Sequence, residues 1–332
     1  MTPVYHVAAP PPAIAGTDAL WQDIDLLARH FQATSACVYP FRTPRPLVPP
    51  LLYGWAALNQ LRTFDHPGHL HHVFSPVAFA YPYLRKLKQP LVYSVVAGSV
   101  RRPTQWLLDR AVWIANNARD RHTLEQAGAP RVHEVRPGIN LHRFAAVPPP
   151  SQEPFTLLMA SAPWTRAQFD GKGVDLLLEA LRELQDVRLI LLWRGHHTAE
   201  LHARLSRHGL ADRVEVIDRA ADVPALLARA HAVILLARWS KLVKAWPHSL
   251  IEGLAAGRQV ITSEAVAMSD FLREHRAGFV LSEWSAGALR ALIESAREAP
   301  APMDIVRRLA QETFSVDRML RAISVVYDDA AR

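Results

Sequence analysis

The amino-acid sequence predicts an α/β protein with two domains, each a parallel β-sheet covered by helices on both faces. Its 332 residues suit two domains of about 150 residues better than one large core. Short apolar runs alternate with helical patterns along the whole chain, and the links between them are short. Ligands of such sheets bind beyond the carboxyl ends of the strands, so two domains in tandem predict a central cleft that holds a ligand.

The predicted strands are apolar runs that are too short for helices. In the first half of the chain they are Val4–Ala8, Ala36–Tyr39, His72–Ser75, Leu91–Val96, Val112–Asn116 and Val132–Val135. In the second half they are Phe155–Met159, Arg188–Leu192, Val214–Ile217, Ala232–Leu236, Gln259–Thr262 and Gly278–Leu281.

Helical periodicity is found between these runs. The predicted helices are Asp18–Phe31, Trp55–Phe64, Ala78–Leu87, Asp120–Ala127, Val174–Leu184, Thr198–Arg207, Val223–Arg229 and Ser249–Ala256. A closing amphipathic pattern, 315–330, either packs on its own domain or crosses back to the first one.

A proline run marks the predicted domain boundary. Val147-Pro-Pro-Pro150 is stiff, extended and unable to donate backbone hydrogen bonds. Proline is also uneven, with 19 of 25 residues before position 151. We therefore predict an N-terminal domain over 1–147 and a C-terminal domain over 148–314.

The positive charge lies entirely in the first half. The chain carries a formal net charge of +7, and residues 1–150 hold 15 Lys and Arg against 8 Asp and Glu. A basic face attracts anionic partners such as phosphorylated lipid carriers, a membrane surface or nucleic acid. Ordinary solvation of a basic surface is the simpler explanation.

Composition favours a cytoplasmic protein. Cys37 is the single cysteine, which excludes an intrachain disulfide and fits a reducing compartment. The first residues show no signal-peptide pattern, and no apolar stretch reaches the roughly 18 residues of a membrane span. Peripheral contact with an anionic membrane stays open.

The most informative motif is Lys244-Ala-Trp-Pro-His-Ser-Leu-Ile-Glu252-Gly-Leu-Ala-Ala-Gly257. Its pattern indicates a loop, a helix that starts at Ser249, and a stop at Gly257 before a buried strand. A helix start exposes unpaired amides that favour phosphate, and the Glu252 carboxylate suits ribose hydroxyls. The alternative is a capping box, in which Ser249 and Glu252 satisfy each other's backbone amides.

A second cluster precedes the helix predicted at Val174. Arg166 and Lys172 lie in a loop after the strand Phe155–Met159, where two cations suit a diphosphate. The alternative is a solvated loop with two surface cations.

These residues, taken together, resemble a known family. Arg166…Lys172-Gly-Val-Asp and Pro247-x-Ser-Leu-Ile-Glu252-Gly-Leu-Ala-Ala-Gly257 are similar to the retaining glycosyltransferases of family 4, which have the GT-B fold of two Rossmann-like domains. Arg136-Pro-Gly-Ile-Asn140-Leu-His-Arg-Phe144 resembles that family's interdomain connection. Gly16 resembles its glycine turn after the first strand.

The resemblance implies a role for each matched residue. Arg166 and Lys172 hold the donor diphosphate, Glu252 binds the ribose, and the amides near Ser249 and Leu250 meet the phosphate. The full set of donor-binding candidates adds Gly16, Arg194, Lys244 and His248. Catalysis then depends on charge stabilisation and positioning, with no metal and no cofactor.

Two positions depart from the family pattern. The family has a glutamate eight residues before the one matched by Glu252, and here that position is Lys244. A histidine commonly ends the strand matched by Leu91–Val96, and here it is Val96. We interpret Lys244 as an adaptation to an unusual donor, such as one that bears a carboxylate.

Two weaker patterns have simpler explanations. Asp65-His66-Pro-Gly-His69-Leu-His71-His72 is rich in histidine, but alternation along the strand sends neighbours to opposite faces, so we expect no metal site. His66 is the candidate for the acceptor side. Asp23-Ile-Asp25 lies inside a helical pattern and is interpreted as a solvated face.

The sequence thus predicts transfer of a sugar from a UDP- or GDP-linked donor to a hydroxyl of a glycan or lipid-linked acceptor. A nucleotide-sugar epimerase of the same fold and a non-catalytic basic binding protein are the alternatives. Nucleic acid is not expected as a partner, because aromatic residues for base stacking are sparse in the basic region.

Overall fold

We describe a computed structural model of the chain. The structure describes residues 1–11, 16, 18–40, 48–96, 100, 103–151, 154–193, 197–299 and 302–332. The chain divides into two compact units. The first unit contains Met1–Gly138 and Val316–Arg332, and the second contains Ile139–Ser315.

Each unit is built on one six-stranded sheet, and neighbouring strands in both sheets are parallel. The strands of the first sheet are β1 Thr2–Val7, β2 Thr34–Cys37, β3 His69–Ser75, β4 Leu91–Val95, β5 Ala111–Ala115 and β6 Val132–Glu134. Those of the second are β7 Phe155–Met159, β8 Val187–Leu192, β9 Val214–Ile217, β10 Ala232–Leu235, β11 Gln259–Ser263 and β12 Phe279–Leu281. The prediction of an α/β fold with parallel sheets is confirmed.

Helices connect the strands and cover the sheets. In chain order they are α1 Ala19–Phe31, α2 Leu58–Arg62, α3 Gln105–Arg110, α4 Ala118–Gln126, α5 His142–Ala145, α6 Gln168–Gly171, α7 Val174–Glu183, α8 Thr198–His208, α9 Val223–Arg229, α10 His248–Ala255, α11 Met268–His275, α12 Ala286–Glu298, α13 Met303–Thr313 and α14 Val316–Ala330. Asp18 caps α1 through its side chain, which accepts from the amides of Leu20 and Trp21.

Strand order sets the position of a possible site in each unit. The first sheet runs β2-β1-β3-β4-β5-β6, and the second runs β12-β11-β10-β7-β8-β9. The order reverses between β1 and β3 in the first sheet and between β7 and β10 in the second. The connections that leave these neighbouring strands go to opposite faces, so a crevice opens at the carboxyl ends.

The boundary between the units differs from the predicted one. It falls after Gly138 and not after Val147. The Ile139 amide donates to the Phe314 carbonyl oxygen at 3.0 Å, and Phe144 and Val147 are buried in the core of the second unit. Packing of these side chains outweighs the local stiffness of the proline run.

Helix α14 belongs to the first unit, where its apolar side chains join the core beneath the sheet. Polar contacts add to this packing. The Tyr327 hydroxyl donates to the Tyr5 hydroxyl at 3.1 Å and lies 2.8 Å from Nδ1 of His72. These three side chains are buried.

Two predicted helices of the first unit are wrong in extent or type. The helix predicted over Trp55–Phe64 is shortened to α2, and that over Ala78–Leu87 is replaced by a short 3-10 helix at Pro82–Lys86. Pro82 has no amide to donate, and the Tyr93 hydroxyl donates to the carbonyl oxygens of Val77 and Phe79. These carbonyls are therefore engaged outside any helical ladder.

Helices α3, α5, α6, α11, α12 and α13 were not predicted, whereas the strands of the second sheet match their predicted runs within one residue. Asp23 and Asp25 lie on α1, as expected. No helix in the described part of the chain is both long and apolar enough to cross a membrane.

Candidate active site

The candidate site lies at the carboxyl ends of β7 and β10, where the strand order of the second sheet reverses. The connection after β7 carries Lys172 and leads into α7. The connection after β10 carries Lys244 and leads into α10. Both helices begin at this edge because each follows a parallel strand of the same sheet. Their positive amino-terminal ends therefore lie at the carboxyl edge of the sheet, as do the connections that carry the two lysines.

The two connections are in direct contact. The Arg238 amide donates to the Gly171 carbonyl oxygen at 2.8 Å, and the Arg238 guanidinium lies 3.1 Å from the Asp170 carboxylate. A Cβ atom on Gly171 would lie 2.6 Å from Leu242 Cδ1, so the segments pack without room for a side chain. Contact on this scale fixes the two connections relative to each other.

Gly173 is required by its backbone and by its surroundings. Its φ is +69°, in the left-handed region, and a Cβ atom there would lie 2.5 Å from Leu236 Cβ. This residue starts α7, and its carbonyl oxygen accepts from the Leu177 amide. Glycine thereby lets the chain turn from α6 into α7 against the end of β10.

Lys172 is buried at this turn. Its side chain is only 7% exposed, and Nζ donates to the Ala162 carbonyl oxygen at 3.0 Å. Ala162 belongs to the same connection, three residues after the end of β7. The contact holds a positive charge inside the loop that follows β7, and the role of Lys172 in binding a diphosphate stays a prediction.

The structure orients Arg166 differently from the prediction. Its side chain is 77% exposed, and Nε lies 3.8 Å from the Glu200 carboxylate in the first turn of α8. β8 and β10 flank β7 on opposite sides, so Arg166 is directed away from α10. Two cations converging on the start of α10 are therefore not observed.

The start of α10 does not form the capping box that was the alternative to an anion site. Pro247 is the N-cap, no side chain caps the first turn, and Ser249 is the second helical residue. The Leu250 amide donates to the Pro247 carbonyl oxygen at 3.1 Å, so it is already engaged. Among the two amides named by the prediction, that of Ser249 is the better candidate for a phosphate.

Close packing holds α10 against its strand. A Cβ atom on Gly253 would lie 2.7 Å from Val233 Cγ2 of β10. The helix ends at Ala255; Gly257, two residues later, has φ of +72°, and the next amide, of Arg258, donates to the Gly253 carbonyl oxygen at 2.8 Å. The glycines thus fix the position and the length of the helix that carries Glu252.

Glu252 lies in an environment that disfavours its charge. Burial raises the pKa of the Glu252 carboxyl, and the neighbouring His248 and Arg143 oppose that rise. His248 is the first residue of α10 and is buried, whereas Arg143 comes from α5 and is exposed. A buried carboxyl that lacks full solvation gains by accepting hydrogen bonds from a ligand.

Residues missed by sequence reasoning support this arrangement. Arg143 lies in the segment that resembles the interdomain connection, and its positive charge is close enough to lower the pKa of Glu252. Ser263, at the end of β11, accepts from the Ala237 amide at 2.8 Å and donates to the Ala237 carbonyl oxygen at 2.6 Å. The position of Ser263 at a predicted strand end was the available indication. The Trp239 ring, 47% exposed beside Gly171, was also missed.

The other predicted residues lie at separate places. Gly16 follows β1 in the first unit with φ of +74°, and the Gln22 side-chain amide donates to its carbonyl oxygen at 2.6 Å. Val96 directly follows β4, and Lys244 is half-buried in the connection after β10. Arg194 lies outside the described residues. The structure leaves the roles of these four residues as predictions.

His66 is on the wrong edge of its sheet for the predicted acceptor site. It precedes β3, at the amino ends of the strands, and its exposed ring packs edge-on against His69. Alternation does separate His71 from His72: His71 contacts His6 and His72 contacts Tyr327. No group of three potential metal ligands occurs in the described ranges.

Comparison with protein-family models identifies the second unit. Residues 166–313 match the model for glycosyl transferases group 1. This segment of the second unit is similar to the group 1 glycosyl transferases. The match begins at Arg166 and includes Lys172, Lys244 and Glu252, so the candidate site lies inside the group 1 domain. No curated protein sequence matches the chain.

Solved structures give the fold of the whole chain. Anabaena HepE in complex with UDP matches at a TM-score of 0.73 and 17% identity, covering 99% of this chain and 100% of that one. Sucrose-phosphate synthase from Thermosynechococcus elongatus matches at 0.76 and 13%, with 99% of each chain covered. WaaG, a glycosyltransferase of lipopolysaccharide biosynthesis, matches at 0.68 and 16%, covering 98% and 99%. The predicted GT-B fold is confirmed.

Proposed function

We propose that the protein transfers a hexosyl residue from a UDP- or GDP-linked sugar to a hydroxyl of a glycan or lipid-linked acceptor, with retention of configuration at the anomeric carbon. The observation that carries this proposal is the buried Lys172 ammonium after β7, on the same edge of the second sheet as the uncapped start of α10. HepE, which has the same fold, also forms a complex with UDP-glucose. WaaG acts in lipopolysaccharide biosynthesis, which supports a glycan or lipid-linked acceptor.

The donor diphosphate is proposed to bind between Lys172 and the Ser249 amide. The ammonium and the helix terminus both stabilise negative charge, and the charge on the diphosphate grows as the glycosidic bond breaks. Glu252 accepts hydrogen bonds from the ribose hydroxyls. Arg166 joins the site after its guanidinium leaves Glu200 and turns toward the phosphates.

Catalysis in this proposal requires no protein nucleophile. The acceptor hydroxyl attacks the sugar on the face from which the nucleoside diphosphate departs, and the departing phosphate accepts the acceptor's proton. Positioning and stabilisation of the leaving group lower the barrier. Lys172, Arg166 and the α10 dipole supply the positive charge, so we propose that no divalent metal and no cofactor are needed.

Nucleotide binding is the first test. We expect UDP or GDP to raise the melting temperature in the presence of EDTA, with ADP and CMP as comparison ligands. A ligand at one hundred times its dissociation constant adds about 2.7 kcal/mol to the free energy of unfolding. If none of the four nucleotides shifts the melting temperature, with or without magnesium, the donor site is misassigned.

The roles of the two halves of the nucleotide can be separated. Glu252→Gln should weaken UDP binding but leave 2′,3′-dideoxy-UDP binding unchanged, because the carboxylate contacts only the hydroxyls. Glu294→Gln, on the exposed face of α12, is the matched control. Equal weakening for both ligands would show that Glu252 supports the helix and does not contact ribose.

The reaction itself distinguishes transfer from epimerisation. With a radiolabelled UDP-sugar, transfer moves label into an acceptor glycan and releases UDP. Epimerisation changes the donor sugar with no acceptor present. The anomeric coupling constant of the product, measured by NMR, establishes retention or inversion.

Lys244 provides a test of donor choice. We propose that its ammonium favours a donor sugar that bears a carboxylate, so UDP-glucuronic acid should compete better than UDP-glucose for the site. Lys244→Glu is expected to reverse this preference. Unchanged donor preference in the variant contradicts the proposal for Lys244 without affecting the proposal for Lys172.

A further inference from the structure

The carboxyl edge of the first sheet carries an unusual concentration of exposed apolar side chains. Leu51 is 49% exposed, Leu52 48%, Trp55 41% and Val77 41%. They are four of the eight large apolar side chains that are exposed in the described residues. All four lie in connections that follow β2 and β3, so they share one edge of the first unit. We refer to Leu51, Leu52, Trp55 and Val77 as the apolar rim.

The backbone under this rim is fixed by buried side chains. Tyr53, between the exposed leucines and Trp55, is buried and stacks on Tyr81 at 5.9 Å between ring centroids. The Gly54 amide donates to the Val38 carbonyl oxygen at 3.1 Å. Gly54 also has φ of +78° and packs directly on the Tyr83 ring, leaving no room for a Cβ atom. The leucines and Trp55 are therefore held outward by a rigid support.

Hydrogen bonds of buried side chains connect the backbone of Val77 to the same support. The Ser75 hydroxyl donates to the Val77 carbonyl oxygen at 2.7 Å and lies 2.9 Å from the Tyr81 hydroxyl. The Tyr93 hydroxyl donates to the same carbonyl at 3.0 Å. Tyr81 thus connects the segment of Val77 to Tyr53, and the rim is one continuous surface feature.

Positive charge is concentrated in the stretch of sequence that carries the rim. Arg85 and Lys86 are exposed on the 3-10 helix whose Tyr83 packs against Gly54, and Arg62 is exposed on α2. Residues 38–108 contain eight Lys and Arg but a single acid, Asp65, giving a net charge of +7 that equals the net charge of the chain. The Asp65 carboxylate is engaged by the amides of Lys88 and Gln89, at 2.8 Å and 2.9 Å.

From this combination we propose that the apolar rim inserts into the surface of a bilayer that contains anionic lipids. Leucine and tryptophan side chains suit the boundary between headgroups and acyl chains, and the exposed Arg85 and Lys86 of the same unit attract acidic headgroups. A second copy of the chain fits this face poorly, because a symmetric contact opposes like charges. The surface lies at the edge of the first unit where that sheet's own ligands bind, so the bilayer would present a lipid-linked acceptor there. The inference deepens the proposed function but is measured without sugar transfer.

Vesicle binding tests this directly. The full chain is mixed with vesicles of phosphatidylcholine alone or of phosphatidylcholine with phosphatidylglycerol, and bound protein is separated by flotation. We expect binding to the anionic vesicles, weakened by salt. The triple variant Leu51→Ser, Leu52→Ser, Trp55→Ala should bind at least about tenfold more weakly. Arg85→Gln with Lys86→Gln should lose about fivefold for each charge.

Two control variants keep the result interpretable. Ile305→Ser in α13 and Val325→Ser in α14 remove side chains that are 62% and 57% exposed elsewhere, and their binding should equal that of the wild type. Circular dichroism and the melting response to UDP establish that each variant is folded, and the UDP response also shows whether the donor site survives.

Three outcomes overturn the inference. They are no binding of the wild type to anionic vesicles, equal binding of the triple variant, and a concentration-dependent dimer that the triple variant abolishes in sedimentation. The last of these would assign the rim to contact between copies of the chain. None of these outcomes alters the nucleotide response, so failure of the membrane inference and failure of the proposed transfer are distinguished.

Discussion

The Lys172 ammonium donates a hydrogen bond to the carbonyl oxygen of Ala162, 3.0 Å away, inside the connection that follows β7. The charge is thus held in place at the strand end before any anion arrives. Placing it in advance reduces the entropy lost when a diphosphate binds.

Removing this charge should weaken diphosphate binding selectively. We expect Lys172→Met to reduce UDP affinity about tenfold to one hundredfold, since a charge-assisted hydrogen bond contributes about 1.5–3 kcal/mol. Affinity for uridine, which lacks phosphate, should not change. Isothermal titration calorimetry measures the affinity for both ligands. Arg207→Met, at an exposed position of α8, is the control for the loss of one positive charge. Equal losses for UDP and uridine would contradict a phosphate contact.

Gly173 should tolerate no side chain. In Gly173→Ala, an alanine in the left-handed conformation costs about 1–2 kcal/mol. Its Cβ atom would also lie 2.5 Å from Leu236 Cβ, so the backbone must move. We expect a loss of about 2–4 kcal/mol in the free energy of unfolding, measured with urea. Gly209→Ala is a matched control, because Gly209 has φ of +66° but nothing within 4 Å of its added Cβ. Its loss should be about 1 kcal/mol.

Glu252 should make the unliganded protein less stable as pH rises. Burial raises the pKa of the Glu252 carboxyl in the folded chain. Its contribution to stability is therefore complete below the unfolded value of about 4.3 and is lost as pH rises through the folded pKa. Glu252→Gln has no carboxyl to ionise and therefore avoids this loss of stability. The melting temperature of the variant should exceed that of the wild type at pH 7 and match it near pH 4. A constant difference across this range would exclude the carboxyl as its source.

His72 should make the first unit sensitive to acid. Burial lowers the pKa of this imidazole to about 3, and the ring lies 2.8 Å from both the Tyr327 and Ser94 hydroxyls. The neutral form stabilises the fold fully above the unfolded value of about 6.5, and this contribution is lost as pH falls.

The pH dependence measures this contribution. Below about pH 6 the wild type should lose about 1.4 kcal/mol per pH unit through this histidine. The titration is removed in His72→Gln, so the slope of unfolding free energy against pH should be shallower. His202→Gln, exposed on α8, is the control and should keep the wild-type slope. A slope unchanged in His72→Gln contradicts the assignment.

The second sheet shows how much of a fold local patterns can determine. Its strands are apolar runs bounded by turns, and they occur where predicted to within one residue. Helix α10 was also predicted, one residue away from its observed limits, because Pro247 before it and Gly257 after it have strong local preferences. Apolar side chains of these strands and of α10 are buried in one core, so the local pattern and the tertiary packing agree.

Prediction failed where distant contacts decide the local structure. The segment 78–87 has helical periodicity, but Tyr93 binds its carbonyl oxygens and Pro82 interrupts its amides. The capping box of Ser249 and Glu252, the alternative to the predicted anion site, has the correct spacing, but the helix begins one residue earlier. His66 was assigned to the acceptor side without knowledge of which end of β3 it would occupy.

The sequence by itself determined two parallel α/β units and an anion-suited loop and helix in the second, because strand length, glycine turns and helix starts depend on neighbouring residues. Only the tertiary structure decided that Lys172 is buried, that Arg166 turns to Glu200, and that Leu51, Leu52, Trp55 and Val77 share one edge. Burial and direction of a side chain depend on residues far away in the chain, and no local pattern encodes them.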